Sequence, residues 1–303
     1  PFGYHLVALV FFLFGVSEVN ARIAPALFSV ALVLLVLFLR RWLGRAGAWF
    51  AIFLLTISPT LMYRGRYFRH DIWLEVAALV MVICFFNYLE DRKERWLYII
   101  AGALSVAFCS KAIAFMYGAV FGSFWVIYLL LEWWRTRKPW KELAVFDLVV
   151  LLATLAMPLT APVFAKALKF DPLDYSQTGM IRTFFIVLIL LGISVAIGIW
   201  WKRKVWLISA GIYYAIFIVF YTTLFTNARG MATGMVGMLG YWLTQQGVRR
   251  GGQPWYYFFF LNVVYESLPL VLSGLAMVYY LFRRGQKAQS VTPKQRPASA
   301  VAV

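Results

Sequence analysis

Long apolar runs, separated by short basic clusters, fill nearly all of the first 284 positions. Crossing ~30 Å of hydrocarbon takes about 20 apolar residues at a rise of 1.5 Å each. The runs predict about nine full spans, roughly Ile23–Leu39, Gly47–Met62, Asp71–Leu89, Trp96–Ser110, Phe115–Trp133, Phe146–Phe164, Thr183–Trp200, Val205–Phe225 and Phe258–Phe282. The first run, Tyr4–Phe14, is too short to cross and predicts an interfacial helix or the stub of a span. Gly15-Val16-Ser17-Glu18 breaks it, with Ser17 placed to cap the next helix. The expected fold is therefore all-α: a polytopic transmembrane bundle over residues 1–284, opened by a short interfacial helix. Residues 285–303, rich in Gln, Ser, Lys, Pro and Ala, bury no apolar face and are expected to form a disordered tail.

Composition sharpens this. The chain is 63% hydrophobic and 14% charged, with a mean hydropathy of +0.78. Soluble domains are about 45–50% apolar and about 25% charged, so a soluble chain of this kind would lack the polar residues to cover its surface. Cys84 and Cys109 both fall inside apolar runs and read as small hydrophobes. No metal-ligand spacing, P-loop, dinucleotide fingerprint or repeat of 20–50 residues is evident. The chain opens abruptly on Pro1 with no signal-peptide layout, and a further N-terminal portion is expected.

Charge adds an orientation. Loops alternate between two sides, and one side, with the tail, holds about 18 of the 29 basic residues. These include Arg40, Arg41, Arg45, Arg92, Lys93, Arg95, Arg135, Arg137, Lys138, Lys141 and Lys202–Lys204. The positive-inside rule makes that side cytoplasmic, and the tail with it. A net charge of +17 favours anionic lipids. Nucleic acid is a poor partner, because the cations sit in short loops between spans.

Three groups gather on the expected outer side, against that rule. The stretch Tyr63–Asp71 puts Arg64, Arg66, Arg69, His70 and Asp71 at a helix start. Asp71 also suits the helix dipole there, and the arginines also suit lipid phosphates. Lys111 follows Ser110 at the end of a span, where it either snorkels or contacts a phosphate as a point charge. The third group is the Gly-rich stretch Thr226–Tyr257. Met231–Gln246 reads as an interfacial amphipathic helix, followed by Arg249, Arg250, two glycines, Gln253, Trp255, Tyr256 and Tyr257. The aromatics alone fit an interfacial belt; the paired arginines beside glycines suit an anionic group. Asp171 and Asp174 read first as a solvated turn, and Glu266 as an acid just inside the last span before Pro269.

At these residues the chain resembles the GT-C superfamily of polytopic glycosyltransferases, which take sugars from polyprenyl-phosphate carriers on the outer membrane face. Leu9–Leu27 looks like the segment after that superfamily's first outer loop, Tyr63–Asp71 like its second, and Ser110-Lys111 like its lysine-bearing helix end. The closer resemblance is to the flippase-activity-associated family of N-glycosylation gene sets. Phe225–Gly230, Tyr265–Pro269 and above all Arg250-Gly251-Gly252-Gln253-Pro254-Trp255-Tyr256-Tyr257 carry it. The resemblance covers nearly all the chain before the tail. Where the close family often follows the lysine with an acid, this chain has Ala112.

The resemblance implies an integral plasma-membrane enzyme that transfers a sugar, with inversion, from a polyprenyl-phosphate carrier to an outer-face acceptor. Glycosylation-pathway membrane proteins are implied partners. Arg64, Arg66, Arg69, Lys111, Arg249 and Arg250 would bind the carrier phosphate. His70, Gln253, Trp255, Tyr256 and Tyr257 would contact sugar or acceptor. Asp71 is the catalytic candidate and would help hold a divalent cation, Mg²⁺ or Mn²⁺. The superfamily's main base lies in a loop expected upstream of Pro1. Residues 1–303 alone are thus expected to bind the lipid without transferring sugar, and the upstream segment to restore turnover. The alternative is a non-catalytic polyprenyl-lipid-binding or flipping-associated protein using the same arginines.

Overall fold

The computed structural model describes residues 1–248 and 252–287, and no strand occurs among them. The expected tail lies outside them except for 285–287, which end the last helix. Two compact units make up the chain: Pro1–Ile57 with Leu61–Gly252, and Ser58–Thr60 with Gln253–Val303.

The first unit opens with α1, Phe2–Phe14, whose 13 residues reach about 20 Å, short of a crossing. Phe2 packs edge-on against Phe28, Trp73 and Phe220, while Phe12 is 86% exposed. Gly15, at φ 83, ends the helix in a conformation that a side chain would resist. The Ser17 Oγ then accepts from the Asn20 N–H at 3.1 Å, the cap expected of it.

α2 (Glu18–Leu35) runs through a 3₁₀ turn into α3 (Arg40–Ile57), and α4 is Pro59–Arg66. α5 is Asp71–Asp91, α6 Glu94–Ser110, α7 Ala114–Thr136, α8 Ala144–Ala156 and α9 Ala161–Ala167. α10 is Gln177–Tyr221, followed by the short α11 (Gly230–Ala232), a π turn at Thr233–Gly237 and α12 (Met238–Gln245). α12 and the residues before it thus give the helix expected near Met231–Gln246.

By length and composition five helices suffice to cross a membrane: Glu18–Ile57, Asp71–Asp91, Ala114–Thr136, Ala144–Ala167 and Gln177–Tyr221. The difference from nine has a physical origin. Glu18–Ile57 and Gln177–Tyr221, at 40 and 45 residues, are about twice crossing length. Each contains a non-helical residue, Gly44 (φ 74, ψ 171) or Lys202 (φ −152, ψ 89), so each holds two legs. At the second bend the chain doubles back. A Cβ on Gly198 would meet the Trp206 ring at 2.2 Å. α6, at 17 residues, sits at the short end of the usual range of about 17–25.

Buried aromatic side chains, among them Trp73, Tyr88, Phe108, Trp125, Tyr213 and Phe217, fill the core. Hydrogen bonds cross between helices inside it: Ser105 Oγ donates to the Tyr213 carbonyl at 2.7 Å, and Tyr221 OH to the Phe108 carbonyl at 3.0 Å. In hydrocarbon such bonds hold helices together at about 0.6–2 kcal/mol each.

One end of this unit is tied by Asp147, 2% exposed on α8. Its carboxylate accepts from Tyr88 OH on α5, from Trp201 Nε1 at 2.6 Å and from Lys202 Nζ at 2.8 Å. Arg41–Glu90 (2.7 Å) and Arg92 to the Glu142 carbonyl (2.6 Å) join the same end. The basic clusters of residues 40–45, 92–95, 135–141 and 202–204 thus gather together, and α5 and α6 carry Asp71 and Lys111 to the opposite end.

In the second unit, α13 (Tyr257–Tyr265) and α14 (Ser267–Lys287) replace the continuous span expected over Phe258–Phe282. They meet at 92°. Pro269 lacks the N–H that would bond the Tyr265 carbonyl, and Glu266 leaves the helical region at φ −124, ψ 35. Together they make a sixth crossing if the bent pair is one span. Ser58 Oγ donates to Glu266 Oε1 at 2.7 Å within this unit.

Candidate phosphate-binding site

The site grows from three local features. α4 lies close on α2 because residue 65 is glycine: a Cβ there would stand 2.1 Å from Ser29 Oγ. That contact sets the position of Arg64 beside it. The turn at Tyr67–His70, closed by the Arg69 N–H to the Tyr67 carbonyl at 2.8 Å, then delivers Asp71 into the first turn of α5. α6 stops at Ser110, and Lys111 takes extended backbone there (φ −157, ψ 147).

These features converge on one carboxylate. Lys111 Nζ lies 2.5 Å from Asp71 Oδ1, Arg69 Nε 3.6 Å from Oδ2, and Arg64 Nη1 3.9 Å from Oδ1. The Asp71 side chain is 9% exposed, whereas the three cations remain between a third and just over half exposed. The arrangement is a buried anion fixing three cations whose outer faces remain open. The Lys111 contact is a charge-assisted hydrogen bond, and the two arginines are held by longer ion pairs.

The sequence reading missed one member. Glu75 stands one turn below Asp71 on the same face of α5, and its Oε1 lies 3.5 Å from Arg64 Nη1. Its Oε2 is buried without a hydrogen-bond partner. The signal was present as an Asp-x-x-x-Glu spacing, hidden inside an apolar run.

His70 stands beside the cluster, its ring edge-on to Tyr4 at 4.8 Å and to Phe68 at 5.5 Å. Burial holds its imidazole below the usual histidine range, Lys111 adds to the effect, and Asp71 opposes it. His70 Nδ1 and Trp73 Nε1 are both buried and unpartnered, and both lie within 3.2 Å of where a Gly3 Cβ would stand.

The other expected residues fall elsewhere. Arg66 is exposed and forms no ion pair among the described residues. Gln253, Trp255, Tyr256 and Tyr257 belong to the second unit, where Trp255 is 92% exposed and packs edge-on to Tyr256 at 5.7 Å. Arg249 and Arg250 lie outside the described residues. Asp171 and Asp174 each accept a backbone N–H two residues on, at 2.9 Å, and so cap a turn. The Ser176 N–H holds the Asp174 carboxyl below the usual range.

The cluster does not fit the divalent cation considered for Asp71. Both Asp71 oxygens already face positive groups, Glu75 faces Arg64, and no group of three or more potential ligands occurs among the described residues. A hard cation takes several oxygen ligands, and three fixed positive charges would repel it.

The family model for dolichyl-phosphate-mannose-protein mannosyltransferases matches residues 1–157. The match takes in α1 to α8 and every residue of the Asp71 cluster. No curated protein and no solved structure matches the chain. With just over half its length in that match, and with several helices long and apolar enough to cross a membrane, the chain belongs to the dolichyl-phosphate-mannose-protein mannosyltransferase family and is a membrane glycosyltransferase of the GT-C type.

Proposed function

We propose that the Asp71 cluster is the cradle for the phosphate of a polyprenyl-phosphate-linked sugar, and that the sugar passes with inversion to an acceptor on the outer membrane face. The observation that carries this reading is the convergence of Lys111, Arg69 and Arg64 on one buried carboxylate. In this reaction the leaving group is already a phosphate anion. It gains charge as the glycosidic bond breaks, so it needs preorganised positive charge more than a proton. Asp71 has both oxygens engaged with cations, so its part is to hold them in place. His70, neutral and at the rim, contacts the sugar.

The outer-face assignment rests on the excess of basic residues at the Asp147 end. Arg250–Tyr257, Phe225–Gly230 and Tyr265–Pro269 support a place near the flippase-activity-associated family, with Arg249, Arg250 and Gln253 on the carrier and Trp255, Tyr256 and Tyr257 on sugar or prenyl chain. The test is sugar transfer in liposomes from a mixed pool of polyprenyl-phosphate sugars. Asp71→Asn in the complete protein is expected to lose most transfer while Arg45→Ala, at the far end, keeps it. Wild-type transfer by Asp71→Asn would falsify the assignment.

A further inference from the structure

The charge balance of the cluster carries a further inference, which rests on the phosphate-cradle reading. Three cations, Lys111, Arg64 and Arg69, face two carboxylates, Asp71 and Glu75, which leaves the network with one net positive charge. Glu75 is an odd choice for stability. Its single ion pair is 3.5 Å long, and its second oxygen is buried with no partner, an arrangement that costs free energy. An apolar residue would avoid that cost. What Glu75 supplies is a negative charge beside Arg64, the cation shared with Asp71.

A donor phosphodiester carries one negative charge. When the bond from the sugar's anomeric carbon to the phosphate oxygen breaks, the electron pair stays on that oxygen. The released phosphomonoester carries about −1.5 to −2 at pH 7. Each further unit of positive charge around the phosphate favours the spent carrier over the donor and slows its release. We propose that Glu75 sets this balance: it lowers the positive charge around the phosphate by one, so that the cradle stabilises the developing charge yet holds the doubly charged product less tightly than the same cations would without Glu75. Glu75 acts through Arg64 and through its field, and is a positioning residue.

Two probes that differ by one ionisable oxygen and one methyl group test this: farnesyl phosphate and its methyl diester, titrated against the complete protein in nanodiscs, with pH 5 as the control for the methyl group. At pH 8, Glu75→Gln is expected to raise the ratio of monoester to diester affinity about 15- to 20-fold, the effect of one unit charge at ~10 Å with an effective dielectric constant of ~20. Arg64→Gln is expected to lower that ratio by a similar factor, and Glu75→Asp to leave it at the wild-type value. At pH 5 the monoester, with a second pKa of about 6, is singly charged, and the three variants and wild type should give the same ratio. A purely structural role would weaken both probes alike at both pH values. A Glu75→Gln ratio within twofold of wild type at pH 8, or, should that variant not insert, an Arg64→Gln ratio unchanged from wild type, overturns the proposal. Failure of the wild-type protein to bind either probe overturns the phosphate-cradle reading itself.

Discussion

Lys111→Ala isolates the contribution of a single charge to the cradle. The Lys111 ammonium is the nearest partner of Asp71, at 2.5 Å, with Arg69 at 3.6 Å and Arg64 at 3.9 Å. Two cations therefore remain to neutralise Asp71 once the lysine is gone. A hydrogen bond to a charged group is worth about 1.5–3 kcal/mol, and the solvent-facing side of this pair screens it, so the stability loss should be near the lower value. Thermal unfolding of the purified protein measures it, and membrane insertion should be intact. Activity should fall further. Removing one preorganised donor from a site of developing charge costs on the order of 10²–10³ in rate. The assay is transfer of labelled sugar in liposomes, with the rate corrected for inserted protein. Transfer within a factor of three of wild type would refute the reasoning, because the lysine would then be a snorkelling residue with no part in the chemistry.

Asp147→Ala strips the acceptor from Tyr88, Trp201 and Lys202, and should destabilise the bundle by about 3–5 kcal/mol without altering the phosphate site directly; unfolding midpoints in detergent measure this. Gly65→Val drives a side chain into Ser29, so it should displace Arg64 and lower transfer while the protein still inserts; a wild-type rate would show that α4 does not set the cluster. Single cysteines placed at Gly251 and Thr136 report topology: a membrane-impermeant thiol reagent added outside should label the first and spare the second. Acid should unfold the protein partly through His70. Burial holds its folded pKa below the unfolded value near ~6.5, so its contribution is present above that value and is lost as pH falls towards the folded pKa. His70→Gln should flatten that part of the stability profile.

The spans were legible because hydrocarbon demands long apolar runs and basic residues mark their ends. Lys202-Arg203-Lys204 marked the bend inside Gln177–Tyr221, and Gly44 follows the same logic after Arg40-Arg41. The break at Glu266 was not recognised although Pro269 was visible, because a proline inside an apolar run bends a span as readily as it ends one. Asp71, Arg64, Arg69 and Lys111 stood out as charges at helix ends, and they are the residues that meet. Arg66 shared their sequence neighbourhood but is exposed and forms no ion pair among the described residues, since a stretch of sequence gives proximity and not direction. Glu75 and Asp147 were hidden for one reason: each is an acid inside a strongly apolar stretch, and only the packing of α5 with α4, and of α8 with α10, reveals the cation that each one meets.

The account's central claim is that this cradle serves sugar transfer and not mere lipid holding. The complete protein, purified into liposomes with a polyprenyl-phosphate-linked sugar and a pool of acceptors, should release one polyprenyl phosphate for each sugar that appears on acceptor. Saturable binding of the lipid with no release of polyprenyl phosphate, under any acceptor offered, would contradict the claim and leave a carrier-lipid-binding protein in its place.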